Sequence, residues 1–227
     1  MIIAIIRRIT ECELAISMDG KLIVLEGVEG SGKTTQVRAI ADWLRLHQSK
    51  PVITTREPGG TSLGKHLRQL LLQDEGNKLH DRTELCLYAA DRIQHLEEVI
   101  KPALDQGVII LCDRFTASTM AYQGYGRGLD QDLIIQFNNI ATQGLQPHLT
   151  FWLSLDVRIG LERVKLRGER DRLEKAGITF HQRVQQGYQE LAAQNPHNFI
   201  TINADQPPEL VTKEIQQILQ TQGLVGS

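Results

Sequence analysis

Residues 27–34 read Gly-Val-Glu-Gly-Ser-Gly-Lys-Thr and directly follow a short apolar run at 22–25, Leu-Ile-Val-Leu. The spacing is that of the phosphate-binding loop (P-loop) G-x-x-x-x-G-K-[ST], which joins a strand to a helix. Its glycines let the backbone turn tightly and direct N–H groups inward, and the helix adds its positive N-terminal end. Lys33 supplies a point charge for nucleotide β- and γ-phosphates, and Thr34 supplies a hydroxyl for Mg²⁺. The stretch therefore predicts an α/β fold built around a nucleotide site.

Apolar, β-branched segments alternate with helical patterns along the rest of the chain. The predicted strands are 22–26, 52–55, 108–112, 149–155 and 199–202. The predicted helices are 33–47, 62–72, 82–105, 116–122, 130–142, 157–168, 180–194 and 208–220. This alternation predicts a P-loop NTPase fold of three layers, in which helices cover both faces of a five-stranded parallel sheet.

The composition narrows the class of protein. The chain has 227 residues, enough for one well-cored domain, and a formal net charge of −2. That balance argues against a nucleic-acid-binding protein, because such domains are usually basic. The three cysteines have no paired spacing, which indicates a reducing compartment and no zinc site. We therefore expect a cytoplasmic protein.

Residues 1–17 match nothing in the motifs that follow. Their apolar run is too short to cross a bilayer, and their charges follow that run, which is unlike a signal peptide. We expect residues 1–17 to be a disordered extension, residues 18–227 to form one domain, and the protein to have no membrane partner.

Two loops that follow predicted strands carry charged side chains. Asp113 and Arg114 follow strand 108–112, and Arg56-Glu-Pro-Gly-Gly follows strand 52–55. Ligands of open parallel sheets bind at the carboxyl ends of the strands. There Asp113 can hold the Mg²⁺ shell through water, and the two arginines can grip a phosphate. Ordinary strand-end turns remain the alternative for both loops.

The helix beginning near residue 82 carries a second set of candidates. Asp81 and Glu84 resemble a capping box at its start. Tyr88 and Arg92, one turn apart, flank an apolar stripe predicted to face the core, which consists of Leu85, Ala89, Ile93, Leu96 and Ile100. A flat ring can stack on a base while the arginine binds a base oxygen or a phosphate. A half-buried surface pair would look the same.

Two more segments have suggestive compositions. Residues 118–128 combine hydroxyls, an amide and glycines that can read a base edge and a sugar, although a polar loop at a helix end is the alternative. Residues 158–175 hold seven basic side chains interleaved with four acidic ones around Gly168. A mobile basic flap over a triphosphate has this composition, and so does an ordinary charged helix in solvent.

Together these motifs resemble those of the bacterial thymidylate kinases, within the nucleoside monophosphate kinase family. The matching segments are 26–35, Arg-Glu-Pro-Gly-Gly at 56–60, Tyr-Ala-Ala-Asp-Arg at 88–92, Asp-Arg-Phe at 113–115, Ser-x-x-Ala-Tyr-Gln-Gly at 118–124 and Arg-Gly-x-x-Asp-Arg at 167–172. The chain departs from the family at Tyr88, where phenylalanine is more frequent, and at Phe115, where tyrosine or histidine is frequent. The resemblance implies a small flexible lid at about 160–176 and a homodimer.

The resemblance also implies an activity and residue roles. The enzyme would phosphorylate dTMP to dTDP with ATP and Mg²⁺, in the pathway to dTTP. ATP would be bound by Gly27, Val28, Glu29, Gly30, Ser31, Gly32, Lys33, Thr34 and Thr35, and Mg²⁺ by Thr34 and Asp113. The acceptor phosphate would be bound by Arg56, Arg92 and Arg114, the base by Tyr88, Ser118, Thr119 and Gln123, and the sugar by Tyr122 and Glu29.

The catalytic cations implied by the resemblance are Lys33, Arg114 and one or more lid residues. Within the family, a P-loop that has no basic residue at the position of Glu29 goes with catalytic arginines in the lid. The lid candidates are Arg163, Lys165, Arg167 and Arg172. Another small nucleoside or nucleotide kinase of the same fold is the nearest alternative. A GTPase-like switch is an alternative of a different class, but it needs a guanine-reading N-K-x-D motif, and the chain has none.

Overall fold

The protein is described by a computed structural model that covers residues 20–73, 79–168 and 171–224. The extension expected at residues 1–17 lies outside the described residues. The strands are β1 (Lys21–Glu26), β2 (Val52–Arg56), β3 (Ile109–Asp113), β4 (Leu149–Ser154) and β5 (Phe199–Asn203). They form one parallel sheet in the order β2-β3-β1-β4-β5. The predicted five-stranded parallel sheet is confirmed.

The helices follow the predicted segments closely. They are α1 (Lys33–His47), α2 (Ser62–Leu72), α3 (Asp81–His95), α4 (Lys101–Asp105), α5 (Thr116–Thr119), α6 (Gln131–Thr142), α7 (Val157–Arg167), α8 (Ile178–Gln194) and α9 (Pro208–Thr221). Two π-helical segments, Leu96–Ile100 and Met120–Gly126, continue α3 and α5. The predicted helix 82–105 is therefore α3, a π turn and α4 in succession.

The sheet separates two apolar cores. Along β1, Ile23 and Leu25 face one core, while Leu22 and Val24 face the other. This alternation follows from the two-residue period of a strand, and both faces of β1 are buried because it is central. The register places Asp113 opposite Leu25 on one side and opposite Arg56 on the other. Candidate site residues of three strands therefore meet at one edge.

Helix α3 differs from the sequence prediction in which face it buries. Ile93, predicted in the core, is 42% exposed, whereas Arg92 and His95 are buried. Both polar side chains face the buried carboxylate of Glu57, which compensates their charge and polarity. The predicted capping box is also wrong, because the helix is capped by the side chain of His80 and Glu84 is buried.

The P-loop packs directly against the backbone of α7. A Cβ added to Gly160 would lie 2.3 Å from the carbonyl oxygen of Glu29, and one added to Gly30 would lie 2.3 Å from the carbonyl oxygen of Gly160. The carbonyl oxygen of Glu29 cannot move without displacing the P-loop, and that of Gly160 cannot move without displacing α7. Glycine at both positions therefore allows the phosphate loop and the helix to touch.

We expect Gly160→Ala to destabilise the protein by ~2 kcal/mol or more, because overpacking here displaces the P-loop. Thermal unfolding measures the effect. Gly177→Ala is the matched control, since a Cβ there meets no atom within 4 Å. Equal behaviour of the two variants would contradict the tight contact.

Candidate active site

The P-loop encloses the side chain of Lys33, which is 8% exposed. Its Nζ donates hydrogen bonds to the carbonyl oxygens of Gly27 (3.0 Å) and Val28 (2.8 Å). Burial, with a smaller contribution from the nearby Arg114 guanidinium, lowers the pKa of Lys33 to about 8. Gly32, at φ 92°, turns the chain into α1 in a conformation that suits glycine. The loop thus holds a cation at the helix N-terminus, as its sequence predicts.

Thr34 and Asp113 lie together beside the loop. The Thr34 hydroxyl donates to Oδ2 of Asp113 over 2.8 Å, across 79 residues of chain. A hydroxyl and a carboxylate are oxygen ligands of the kind Mg²⁺ prefers. Among the described residues, no group of three or more His, Cys, Asp or Glu side chains is arranged to hold a metal ion. A bound Mg²⁺ would therefore take its remaining ligands from phosphate oxygens and water, as is usual for this ion.

Arg114 is the most connected cation of the site. Its Nη1 donates to the carbonyl oxygen of Gly27 at 2.9 Å, and its Nη2 donates to Oε1 of Glu29 at 3.0 Å. Its backbone φ of 74° is rare for a residue with a side chain, and such strained positions cluster at functional sites. Burial opposes charge on Glu29, but Arg114 and then Lys33 outweigh it and lower the pKa of that carboxyl.

Glu26 anchors the segment that follows Arg114. It is fully buried and accepts hydrogen bonds from the Phe115 and Ser118 backbone N–H groups, the Ser118 hydroxyl and the Tyr188 hydroxyl. Burial raises the pKa of this carboxyl. In the sequence analysis Glu26 is only the first residue of the segment 26–35 that contains the P-loop, and no local signal marks it as a buried hydrogen-bond acceptor. Its effect is to fix α5 against the P-loop.

The opposite wall of the cleft is built around Arg92. Its guanidinium donates to Oε2 of Glu57 at 2.7 Å, and also to Thr119, Asn138 and the Phe115 carbonyl oxygen. Four of its five N–H groups are therefore used, and one remains for a ligand. Burial opposes charge on Glu57, but Arg92 and then His95 outweigh it and lower the pKa of the carboxyl.

Tyr88 and Gln123 line the same wall, where sequence reasoning expects a base. Burial raises the pKa of the Tyr88 hydroxyl above its usual range, so the ring is neutral. The Gln123 amide donates to the buried Glu84, which sequence reasoning had assigned to a helix cap. Arg68 was not predicted from the sequence. It also lines the cleft, where burial followed by the nearby Arg56 lowers its pKa.

The four lid candidates occupy different environments. Arg163 and Arg167 line the cleft, and Arg167 pairs with Glu174 while its side chain stays 65% exposed. Arg172 is bound elsewhere, to Glu84 and to the carbonyl oxygen of Leu71. Lys165 is exposed and is not among the residues that line the cleft. The geometry therefore favours Arg163 and Arg167 for contact with a nucleotide.

His181 of α8 is a site residue that sequence reasoning missed. It is buried, and its Nδ1 lies 3.7 Å from Oε2 of Glu29, beyond hydrogen-bond distance. Burial lowers the pKa of the imidazole. The residue sits in an ordinary amphipathic helix pattern, so no local signal marks it.

Most of these groups border one cavity of about 340 Å³. Of the residues predicted to form the site, those that line it are Glu29, Gly30, Gly32, Lys33, Thr34, Thr35, Arg56, Tyr88, Arg92, Asp113, Arg114, Ser118, Thr119, Tyr122, Gln123, Arg163 and Arg167. Five others lie outside its lining: Gly27, Val28, Ser31, Lys165 and Arg172. The lining of the cavity runs from the P-loop to a wall that carries arginine and tyrosine side chains.

A family model described as thymidylate kinase matches residues 25–215. The chain belongs to the thymidylate kinase family. A thymidylate kinase of Trichodesmium erythraeum is 55% identical over 89% of this chain and 96% of its own. One of Cyanothece is 53% identical over 89% and 94%. The crystal structure of thymidylate kinase from Ehrlichia chaffeensis superposes with a TM-score of 0.73 and 34% identity, covering 88% of this chain and 98% of that chain.

Membership of the thymidylate kinase family agrees with the resemblance inferred from the motifs, and the match includes every segment that carried it. The matched region begins within β1 and ends within α9. None of the helices among the described residues is long and apolar enough to cross a membrane.

Proposed function

We propose that this protein transfers the γ-phosphoryl group of ATP to dTMP, with Mg²⁺, and so makes dTDP for dTTP synthesis. The observation that carries the proposal is a single cavity bordered at one end by Lys33 and Thr34 and at the other by Tyr88, Arg92 and Gln123. A P-loop alone would fit many nucleotide-binding proteins. The second, cation-rich end fits an acceptor that itself bears a phosphate.

Phosphoryl transfer to dTMP needs little general-base catalysis. A phosphate monoester oxygen is already a good nucleophile near neutral pH, so catalysis rests on positioning and on neutralising charge. Lys33 binds the donor phosphates, and Arg114 lies between them and the acceptor. Arg56 and Arg114 hold the acceptor phosphate, while Arg92 contributes its one remaining N–H. Thr34 and Asp113 would hold Mg²⁺, which supplies positive charge to the phosphoryl oxygens when bound.

The acceptor nucleoside is placed by the wall opposite the P-loop. Tyr88 stacks on the base, and Ser118, Thr119 and Gln123 lie near its edge. Tyr122 packs on the deoxyribose, and Glu29 approaches the 3′-hydroxyl. Arg163 and Arg167 of the lid approach the transferring group, and we place the lid at about 160–176 of a single domain, 18–227.

One assay tests the proposal. ADP release is measured in parallel with dTMP, dUMP, dCMP and thymidine as acceptors, at saturating ATP. We expect dTMP to give the highest kcat/KM. Turnover of thymidine in preference to dTMP would indicate a nucleoside kinase instead, and nucleotide hydrolysis with no acceptor dependence would indicate a switch-like NTPase.

We further propose a cytoplasmic homodimer. The cytoplasmic location is supported by Cys86 and Cys112, which are both free thiols, as is usual in a reducing compartment. Supporting the dimer, exposed apolar side chains lie on three helices that pack side by side, namely Leu63 and Leu70 on α2, Ile93 on α3 and Ile135 on α6. Sedimentation velocity tests the dimer, and a monomer at micromolar concentration would contradict it.

Tyr88→Ala should weaken dTMP binding roughly 5- to 150-fold, because stacking on an aromatic ring contributes about 1–3 kcal/mol per base. ATP binding should change little. Tyr88→Phe keeps the ring and should stay close to the parent, so it is the matched control. Isothermal titration with each nucleotide measures both affinities. Equal losses for ATP and dTMP would place the base away from α3.

A further inference from the structure

Glu84 is fully buried beneath the base-binding wall and accepts hydrogen bonds from three side chains. Its Oε1 accepts from Nε2 of Gln123 at 2.7 Å and from Nε of Arg127 at 3.2 Å. Its Oε2 accepts from Arg127 at 3.0 Å and from Arg172 at 2.5 Å. Burial opposes its charge, but Arg127 and Gln123 outweigh it and lower the pKa of the carboxyl. Glu84 is therefore a carboxylate, which accepts hydrogen bonds and donates none.

This arrangement fixes the orientation of the Gln123 amide. An amide has a donor end and an acceptor end, and a carboxylate can bind only the donor end. Gln123 is 1% exposed and lines the cleft, so its side chain has little freedom to turn. With Nε2 bound to Glu84, the carbonyl oxygen is the end left for a ligand.

We propose that Glu84 is a positioning residue that sets base preference, because it makes Gln123 present a hydrogen-bond acceptor to the nucleobase. An acceptor at this point suits thymine and uracil, which carry an N–H at N3. It disfavours cytosine, whose N3 is itself an acceptor. The inference rests on the proposed function, since it assumes that a pyrimidine monophosphate binds against this wall.

The different partners of the two Glu84 oxygens predict how the amide of a glutamine at this position would be oriented. Arg172 donates to Oε2, and Arg127 makes its shorter hydrogen bond there (3.0 Å, against 3.2 Å to Oε1), so a glutamine at 84 would keep its carbonyl oxygen on that side. Its NH₂ group would then face Gln123. Gln123 would have to turn over to accept that bond, and its own NH₂ group would face the base.

The test compares kcat/KM for dTMP and dCMP in the parent enzyme and in Glu84→Gln. We expect the dTMP-to-dCMP ratio to fall ~10-fold or more, because a donor facing the N3–H group leaves two buried groups unpaired. Asp81→Asn is the matched control. It removes another carboxylate facing Arg127 from the same helix, at 3.6 Å, without touching Gln123, so the ratio should stay unchanged.

The ratio separates positioning from a merely structural role. A loss of activity that is equal for both substrates, with the ratio unchanged, would overturn the inference. If Glu84→Gln does not fold, Gln123→Met takes its place, because removing the amide should lower the ratio by a similar factor, and an unchanged ratio would again overturn it. Failure of the proposed function itself would look different, since the parent enzyme would then not turn over dTMP.

Discussion

Replacing Lys33 by alanine should lower kcat by ~10³-fold or more while the chain stays folded. The P-loop encloses this side chain, and its Nζ is held by the carbonyl oxygens of Gly27 and Val28, where the motif predicts that donor phosphates bind. Preorganised charges of this kind are the largest contribution to phosphoryl transfer. Stability should change by less than ~2 kcal/mol, because the lost hydrogen bonds are offset by release of a buried charge.

Steady-state kinetics and thermal unfolding of Lys33→Ala measure the two effects together. Lys65→Ala, an exposed lysine on α2 that does not line the cleft, is the control and should match the parent in both. Activity retained within several-fold would contradict the P-loop assignment.

Arg167→Ala should lower kcat up to ~10³-fold and change dTMP affinity little. An arginine that meets the γ-phosphate mainly in the transition state affects kcat rather than ground-state binding. Arg167 lines the cleft and stays 65% exposed while it pairs with Glu174, so its guanidinium is accessible to a nucleotide. Arg158→Ala, an exposed arginine earlier on the same helix and outside the cleft lining, is the control.

The other lid candidates allow a ranking. Alanine variants of Arg163, Lys165 and Arg172 are measured in the same way. We expect the loss of kcat to follow the access of each side chain to the cleft, so that it is closest to the Arg167 value for Arg163 and smallest for Lys165. If all four variants keep near-native kcat, the lid supplies no catalytic cation and Arg114 becomes the next candidate.

The fold could be predicted from the sequence because its signals are local. The P-loop motif identifies β1 and α1 by itself, and alternating apolar periods locate the other elements. Much of the site could also be predicted from the sequence, because parallel strands end at one edge of the sheet and so bring Arg56, Asp113 and the P-loop together. These inferences need only the order of the elements along the chain.

The rest of the site depends on pairs of charges far apart in sequence. Arg92 and Glu57 are 35 residues apart, and Gln123 and Glu84 are 39 apart. Hydropathy places such side chains at the surface, and only the folded chain shows that each compensates the other. The misassigned face of α3 and the misread Glu84 both have this cause.

The contact between Gly30 and Gly160 bears on how lids are exchanged between related kinases. The backbone of α7 rests on the phosphate loop before the helix reaches Arg163 and Arg167. A chimera that takes its lid from another kinase from residue 161 onward keeps Gly160 and its contact with the P-loop, and this contact positions the new arginines. A chimera that takes the whole helix, with a larger residue at 160, loses the contact. We therefore expect that, in this chain, a recombination boundary that preserves function falls inside α7 rather than in a connecting loop.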